Sequence, residues 1–169
     1  MGPAARATDP ASGGRVGARS RATPLIAYFD TSALIKLLVV EPGTEVAEEL
    51  WDGASERVAS CVVYAEARAA LAAAARDRRL SARQLRNVVG GLGEACGAMQ
   101  LVGVDAELAE LAGELAEHHA LRGYDAVHLA TALEIETSEL VIATWDSDLA
   151  RAALAVGRTV VPTPHGTPA

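Results

Sequence analysis

The sequence contains few aromatic residues, few cysteines and a single lysine, Lys36. Phe, Trp and Tyr make up 4% of the 169 residues, too few for a surface that binds nucleic acid by stacking bases on rings. The two cysteines, Cys61 and Cys96, form no C-x-x-C pair. Because cysteines are few and no export signal is recognised, the sequence indicates a reducing, cytoplasmic setting. No apolar run approaches the roughly 18 residues of a membrane-spanning helix. We therefore expect a cytoplasmic protein with no membrane association.

The remaining composition is that of one globular domain. Half of the residues are hydrophobic and 22% are charged, which argues against wholesale disorder. The formal net charge is −7, and an acidic surface repels nucleic acid by simple electrostatics. Binding of nucleic acid through a broad basic face is therefore not expected.

Residues 1–24 differ from the rest of the chain. They contain four Gly, three Pro and four Arg, with Val16 as their only branched apolar residue, and cannot bury enough surface to offset their chain entropy. We interpret them as a flexible N-terminal extension, or as a start placed too far upstream. Their net charge of +3 leaves −10 on the remainder. The folded domain is expected at 25–162, followed by a loose tail at 163–169.

Strand-like and helix-like segments alternate along the folded domain. Strands are expected at 25–30, 57–60, 99–104, 139–145 and 159–161. Helices are expected from residue 31 to the Pro42-Gly43 pair, at 44–53, from an N-cap at Ser60 through 79, at 81–97, from Asp105, at 124–136 and at 146–157. This alternation predicts an α/β fold with a mostly parallel sheet and helices on both faces. In such folds the functional site lies at the carboxyl ends of the strands.

Acidic residues follow two of the predicted strands. Asp30 ends the first strand, Asp146 and Asp148 come directly after the strand at 139–145, and Asp125 opens a helix. A parallel sheet brings both strand ends to one edge. Each of these acids also suits a helix N-cap, where a carboxylate accepts free backbone N–H groups. For Asp148 the capping role is favoured over that of a fifth acid in the site.

Glu66 is harder to explain as a structural residue. It is expected about two turns into its helix, where its neighbours one turn away are all apolar: Val62, Val63, Ala69 and Ala70. An unpaired buried carboxylate costs several kcal/mol or becomes neutral, and a divalent cation would compensate it. Carboxylate ligands without cysteine or clustered histidine suit Mg²⁺, with Mn²⁺ as the alternative. Such a site serves phosphoryl chemistry, although spacing alone does not name the substrate.

Several segments of the folded domain resemble a known family. They are, in order, FDTSALIKLLVVEPG, SCVVYAEARAAL, RGYDAVHLATAL and LVIATWDSDLARAA, followed by AVGRTVV. In these segments the chain resembles the PIN domain family, and specifically the VapC-type toxin ribonucleases of type II toxin–antitoxin pairs. The resemblance implies a three-layer α/β/α fold with a central parallel sheet. It also implies Mg²⁺-dependent cleavage of RNA phosphodiesters by a metal-activated water, leaving a 5′-phosphate and a 3′-hydroxyl.

The resemblance also assigns roles to residues and partners. The four acids of the family's motif fall on Asp30, Glu66, Asp125 and Asp146. Asp30 and Asp125 resemble the principal metal ligands, and Glu66 and Asp146 would complete the catalytic pocket. The implied partners are an RNA substrate and a small cognate antitoxin protein, and the implied assembly is a homodimer.

Other polar residues lie close to these acids in the sequence. The hydroxyls of Thr31, Ser32 and Thr144 would orient a carboxylate or a water, or serve only as satisfied turn hydroxyls. His128 is expected to be a packed, hydrogen-bonded residue rather than a general base. Arg68 and Arg122 could contact the scissile RNA backbone.

Two other functions remain open from the sequence. The first is an RNA-binding or antitoxin-binding module with negligible catalysis, against which the complete acid set argues. The second is a phosphatase with Asp30 as the nucleophile. Ser32 stands where such phosphatases carry a second Asp, and Lys36 is the only lysine available to hold a phosphate.

Overall fold

The computed structural model describes residues 24–163, so most of the predicted N-terminal extension and all but the first residue of the predicted C-terminal tail lie outside the described residues. The strands are β1 Ile26–Phe29, β2 Glu56–Ser60, β3 Gln100–Val102, β4 Leu140–Ala143 and β5 Thr159–Val161. The helices are α1 Thr31–Leu38, α2 Thr44–Gly53, α3 Val63–Arg76, α4 Ala82–Gly97, α5 Ala106–His119, α6 Gly123–Leu133 and α7 Ser147–Ala155. Each predicted strand and helix is present, with shifts of a few residues at the ends.

The five strands form one sheet in the order β3-β2-β1-β4-β5, and every neighbouring pair is parallel. Strand β1 lies at the centre, with Tyr28 opposite Val58 of β2 and Phe29 opposite Ala143 of β4. The carboxyl ends of β1 and β4 are therefore side by side. This confirms the predicted parallel sheet and brings the residues after these two strands to one edge.

Helices cover both faces of the sheet, and β1 contributes side chains to each. Because side chains alternate along a strand, Tyr28 packs in the core beneath α5, α6 and α7. Its neighbours Ala27 and Phe29 pack in the core beneath α1, α3 and α4. The predicted three-layer α/β/α architecture is thus confirmed. Within residues 24–163, no helix combines the length and the apolarity that crossing a membrane requires.

The connection from β2 to α3 differs from the prediction. Ser60 is the last residue of β2, opposite Val102 of β3, and its buried hydroxyl has no hydrogen-bond partner among the described residues. The predicted N-cap at Ser60 is therefore wrong, because sheet pairing extends through this residue and α3 begins only at Val63. As a result, Glu66 lies in the first turn of α3 rather than two turns in. Helix α6 ends at Leu133, three residues before the predicted 136.

Gly43 and Trp145 make a close contact that predicts a large effect on stability. Gly43, the N-cap of α2, has a φ of +99°, and a Cβ there would lie 2.5 Å from the indole Nε1 of Trp145. Gly43→Ala would combine left-handed backbone strain with this clash. We expect the free energy of unfolding to fall by about 2 kcal/mol, measured as a lower midpoint of urea denaturation.

Gly90→Ala is the matched control for this prediction. Gly90 lies inside α4, and a Cβ at this position meets no atom within 4 Å. Alanine is the better helix former, so Gly90→Ala is expected to stabilise the protein by roughly 0.5–1 kcal/mol. Equal urea midpoints for the two variants would contradict the role given to the contact between Gly43 and Trp145.

Candidate active site

Asp30 lies in the one-residue connection between β1 and α1. Its Oδ1 accepts a hydrogen bond from the backbone N–H of Ala33 at 2.8 Å, so the N-cap interpretation is confirmed. The register of β1 and β4 places Thr144 beside it, and the Thr144 hydroxyl donates to Oδ2 at 2.6 Å. The Ser32 hydroxyl lies 2.8 and 2.9 Å from the two carboxylate oxygens. The predicted role of these hydroxyls in orienting a carboxylate is thus confirmed.

Burial governs the charge of Asp30. The residue is only 4% exposed, and this burial raises its pKa above the ordinary value of an aspartate. His128 and the surrounding hydrogen-bond donors act in the opposite direction but do not cancel the effect of burial. A nearby cation would therefore stabilise the ionised form of Asp30.

Glu66 and His128 meet across the cleft from two different helices. His128 Nε2 lies 2.7 Å from Glu66 Oε2, and the Thr31 hydroxyl donates to the same oxygen at 2.7 Å. Burial by itself raises the pKa of Glu66, but the hydrogen bonds from His128 and Thr31 outweigh it and leave the pKa below the usual value. The sequence suggested a divalent cation as the compensating partner of Glu66, whereas the structure supplies an imidazole and a hydroxyl.

A chain of hydrogen bonds holds the ring of His128 in place. The ring is 2% exposed, and its Nδ1 lies 2.8 Å from the hydroxyl of Tyr28. That hydroxyl accepts the backbone N–H of Ser60 at 3.2 Å, and burial raises the pKa of Tyr28 so that it stays protonated. Because an ionised carboxylate only accepts hydrogen bonds, the Nε2 atom that faces Glu66 carries a proton and donates it to Oε2. The predicted packed, hydrogen-bonded His128 is confirmed, and its contact with a site acid was missed.

Arg122 links the remaining two acids. Its Nε donates to Asp125 Oδ2 at 2.7 Å, and its Nη2 donates to Asp146 Oδ2 at 2.7 Å. Asp146 caps α7 through its other oxygen, which accepts two backbone N–H groups at 2.9 Å. Arg122, not Asp125, is the N-cap residue of α6, so the N-cap interpretation is wrong for Asp125.

Asp125 resembles Asp30 in its electrostatics. Burial raises the pKa of Asp125, the hydrogen bond from Arg122 opposes this, and the nearby charge of Asp146 adds to it. In turn, the hydrogen bond with Asp125 raises the pKa of the Arg122 guanidinium. The spacing of three residues between Arg122 and Asp125 could have predicted this pair, whereas the link to Asp146 depends on the sheet topology.

The four predicted acids line one cleft of about 410 Å³. The side chains that carry positive charge around it are Lys36, Arg79 and Arg122. Asp148 does not line the cleft: it is exposed and lies 3.4 Å from Arg151. Its favoured capping role is also wrong, because the residue that caps α7 is Asp146.

The ligand chemistry of the cleft fits a hard divalent cation, because all four acids offer carboxylate oxygens. Their present positions, however, are set by other partners. In the described range, no three His, Cys, Asp or Glu side chains are arranged to hold one metal ion. Hydroxyls bind Asp30, and Arg122, itself a cation, stands between Asp125 and Asp146. A metal ion would therefore replace an existing cation rather than enter a ready-made set of ligands.

Comparison of the sequence with known proteins agrees with this geometry. The family model of the PIN domain matches residues 27–154. Two relatives from Mycobacterium tuberculosis strains, Ribonuclease VapC45 and Ribonuclease VapC49, are each 45% identical over 139 residues, which is 82% of this chain and 96% of theirs. Ribonuclease VapC46 from the same species is 32% identical over 134 residues, 79% of this chain and 95% of that protein.

Solved structures share the fold at lower identity. The crystal structure of M. tuberculosis VapC20, described as a sarcin–ricin loop cleaving toxin, has a TM-score of 0.60 at 20% identity, covering 79% of this chain and 96% of that one. A toxin–antitoxin complex from Klebsiella pneumoniae has a TM-score of 0.56 at 20% identity, covering 81% and 97%. Together with the family match and the 45% identical relatives, these likenesses show that the chain belongs to the PIN domain family, within its VapC group.

Proposed function

We propose that this chain is a Mg²⁺-dependent endoribonuclease that acts in the cytoplasm as the toxin of a type II toxin–antitoxin pair. The observation that carries the proposal is the convergence of Asp30, Glu66, Asp125 and Asp146 on one cleft at the carboxyl edge of the sheet. The similar proteins named as VapC ribonucleases support RNA as the substrate. The toxin–antitoxin complex among the structural neighbours supports a small antitoxin as partner. The homodimer remains an expectation from the family resemblance.

Asp30 and Asp125 would hold Mg²⁺, or Mn²⁺ in its place. When bound, the ion would supply an activated water and offset the charge of the scissile phosphate. Ser32 and Thr144 keep the carboxylate of Asp30 in one orientation. Lys36, the only lysine of the sequence, is paired with Glu41, which argues against a phosphatase that would need a lysine to hold the phosphate.

Glu66 is the chain's candidate proton acceptor. His128 and Thr31 both bind Oε2 and keep the carboxylate ionised, while Oε1 is free of any hydrogen bond to the described residues. Oε1 can therefore accept a proton from the attacking water. Lys36 and Arg79 at the rim of the cleft provide positive charge for the RNA backbone, although the chain as a whole is acidic.

Cleavage of RNA in the presence and absence of metal tests the proposal. We expect purified protein to cut single-stranded RNA in Mg²⁺, to lose this activity in EDTA and to regain it on addition of excess Mg²⁺. The products should carry a 5′-phosphate and a 3′-hydroxyl. Cleavage that survives EDTA would contradict the metal-dependent mechanism. RNA binding without cleavage under all of these conditions would favour the non-catalytic binding module instead.

A further inference from the structure

Arg122 occupies an unusual position for a surface arginine, because it is the only cation in direct contact with two of the four acids among residues 24–163. Its Nε and Nη2 reach Asp125 and Asp146 at 2.7 Å each. These two acids come from different helices, α6 and α7, and are 21 positions apart in the sequence. The guanidinium therefore joins the two sides of the cleft.

The acids need such a cation when no metal is bound. Asp125 is buried, and Asp146 lies close enough that one guanidinium contacts both carboxylates. Two neighbouring carboxylates repel one another unless a positive charge is shared between them. Arg122 supplies this charge in a fork geometry that suits two oxygen acceptors.

The side chain of Arg122 is also able to move away from Asp125 and Asp146. Its side chain is 73% exposed, so a change of rotamer disturbs no core packing. The other cations of the cleft contact neither Asp125 nor Asp146: Lys36 pairs with Glu41 at 2.7 Å, and Arg79 pairs with Asp77 at 3.3 Å. A divalent cation carries twice the charge of the guanidinium, so it competes for the two carboxylates and can displace the arginine side chain.

From these contacts we infer that Arg122 is a built-in counter-ion of the cleft, which a divalent metal ion displaces from Asp125 and Asp146 and which then binds a phosphate of the RNA. The inference rests on the proposed function and adds a role for one residue of the same site. It gives one residue two successive partners, the acids of the cleft before metal binding and the RNA backbone afterwards. The arginine would thus oppose metal binding and favour substrate binding.

Binding of Mn²⁺ alone, in the absence of RNA, tests the first half. Isothermal titration is carried out on the full chain as wild type, Arg122→Gln and Arg122→Lys. With its competitor removed, Arg122→Gln should bind Mn²⁺ roughly three- to tenfold more tightly than wild type. Arg122→Lys should lie between them, because lysine keeps the charge but lacks the fork that reaches both acids.

Arg151→Gln is the matched control. Arg151 is an exposed arginine on α7 that lies near Asp148, outside the cleft. This variant should bind Mn²⁺ with the affinity of wild type. It removes the same charge from the protein, so it separates a local effect in the cleft from a change in net charge.

Binding of RNA tests the second half. A single-stranded RNA oligonucleotide of 20 nucleotides is titrated in Mn²⁺ into Glu66→Gln, which slows cleavage, and into Glu66→Gln/Arg122→Gln. The double variant should bind about fivefold more weakly. The slope of log affinity against log salt should also be smaller by about 0.7, as expected for the loss of one phosphate contact.

The outcomes distinguish this inference from the proposed function. No binding of Mn²⁺ by wild type would overturn both. Equal Mn²⁺ affinities in wild type and Arg122→Gln, or weaker binding by the variant, would overturn the counter-ion role alone. Unchanged RNA affinity and salt slope in the double variant would overturn the phosphate contact.

Discussion

Asp30→Asn is expected to slow RNA cleavage by about 10³-fold while making the metal-free protein more stable at pH 7. The loss of activity follows because a metal ligand contributes several kcal/mol to the reaction, and 1.36 kcal/mol is a factor of ten. The gain in stability follows because Asp30 is buried and burial disfavours its ionised form. Asparagine removes the buried charge and keeps an acceptor for the N–H of Ala33.

The pH dependence of stability follows from the direction of the shift. Burial raises the pKa of Asp30 in the folded state, so the folded protein binds more protons than the unfolded chain between the ordinary and the raised pKa. The stability associated with protonated Asp30 is fully present below the ordinary pKa and is lost as pH rises through the folded pKa. Urea denaturation in EDTA from pH 4 to pH 8 should therefore show a shallower fall in stability for Asp30→Asn than for wild type.

Asp52→Asn serves as the control for this result. Asp52 is an exposed acid on α2, outside the cleft, so its substitution should change neither cleavage nor the pH dependence of stability. An Asp30→Asn variant that cuts RNA at the wild-type rate, or that is less stable than wild type across the whole pH range, would contradict the role assigned to Asp30.

His128→Ala is expected to have the second-largest effect, on both stability and cleavage. The ring is buried, so its loss should lower the free energy of unfolding by about 2–4 kcal/mol. Cleavage by the folded fraction should fall by about 10–100-fold, as is usual when the partner that orients a site residue is removed. His128 donates to Glu66 and lowers its pKa. The variant should therefore show the acidic limb of its pH–rate profile displaced to higher pH.

Two further variants distinguish a role of His128 in orienting Glu66 from a role in packing alone. Tyr28→Phe keeps the imidazole but removes the hydroxyl that is hydrogen-bonded to Nδ1, and it should displace the acidic limb in the same direction by a smaller amount. His118→Ala, which removes an exposed histidine of α5, should leave the profile unchanged. A His128→Ala variant with an unaltered pH–rate profile would restrict His128 to a packing role.

Much of the fold follows from local patterns in the sequence. The apolar runs around Tyr28 and Ile142 predict central strands, and a parallel sheet requires the acids after them to share one edge. The contacts of Glu66 do not follow in this way, because its partner His128 is 62 residues away and meets it only when α6 packs over the sheet. Sequence patterns show the apolar neighbours of Glu66 on its own helix but not a polar side chain that arrives from another.

Ser60, Tyr28 and Arg122 show three further limits of sequence patterns. A serine before a helical segment is a good N-cap candidate, but strand pairing with β3 holds Ser60 in the sheet. The Tyr28 hydroxyl could not be assigned from the sequence either, since its role depends on which face of β1 the ring takes. For Arg122, the sequence places a cation near Asp125, while the contact with Asp146 requires the folded arrangement of α6 and α7.

The pairing of β1 with β4 has a consequence for synthesis of the protein. It joins residues 26–29 to residues 140–143, so strands made more than one hundred residues apart in translation form the centre of the sheet. A nascent chain that has not yet reached β4 carries Asp30, Glu66 and Asp125 but lacks Thr144, which orients Asp30, and Asp146. The cleft is therefore completed only after β4 and Asp146 have been made, and shorter nascent chains lack a complete acid set with which to cut RNA near the ribosome.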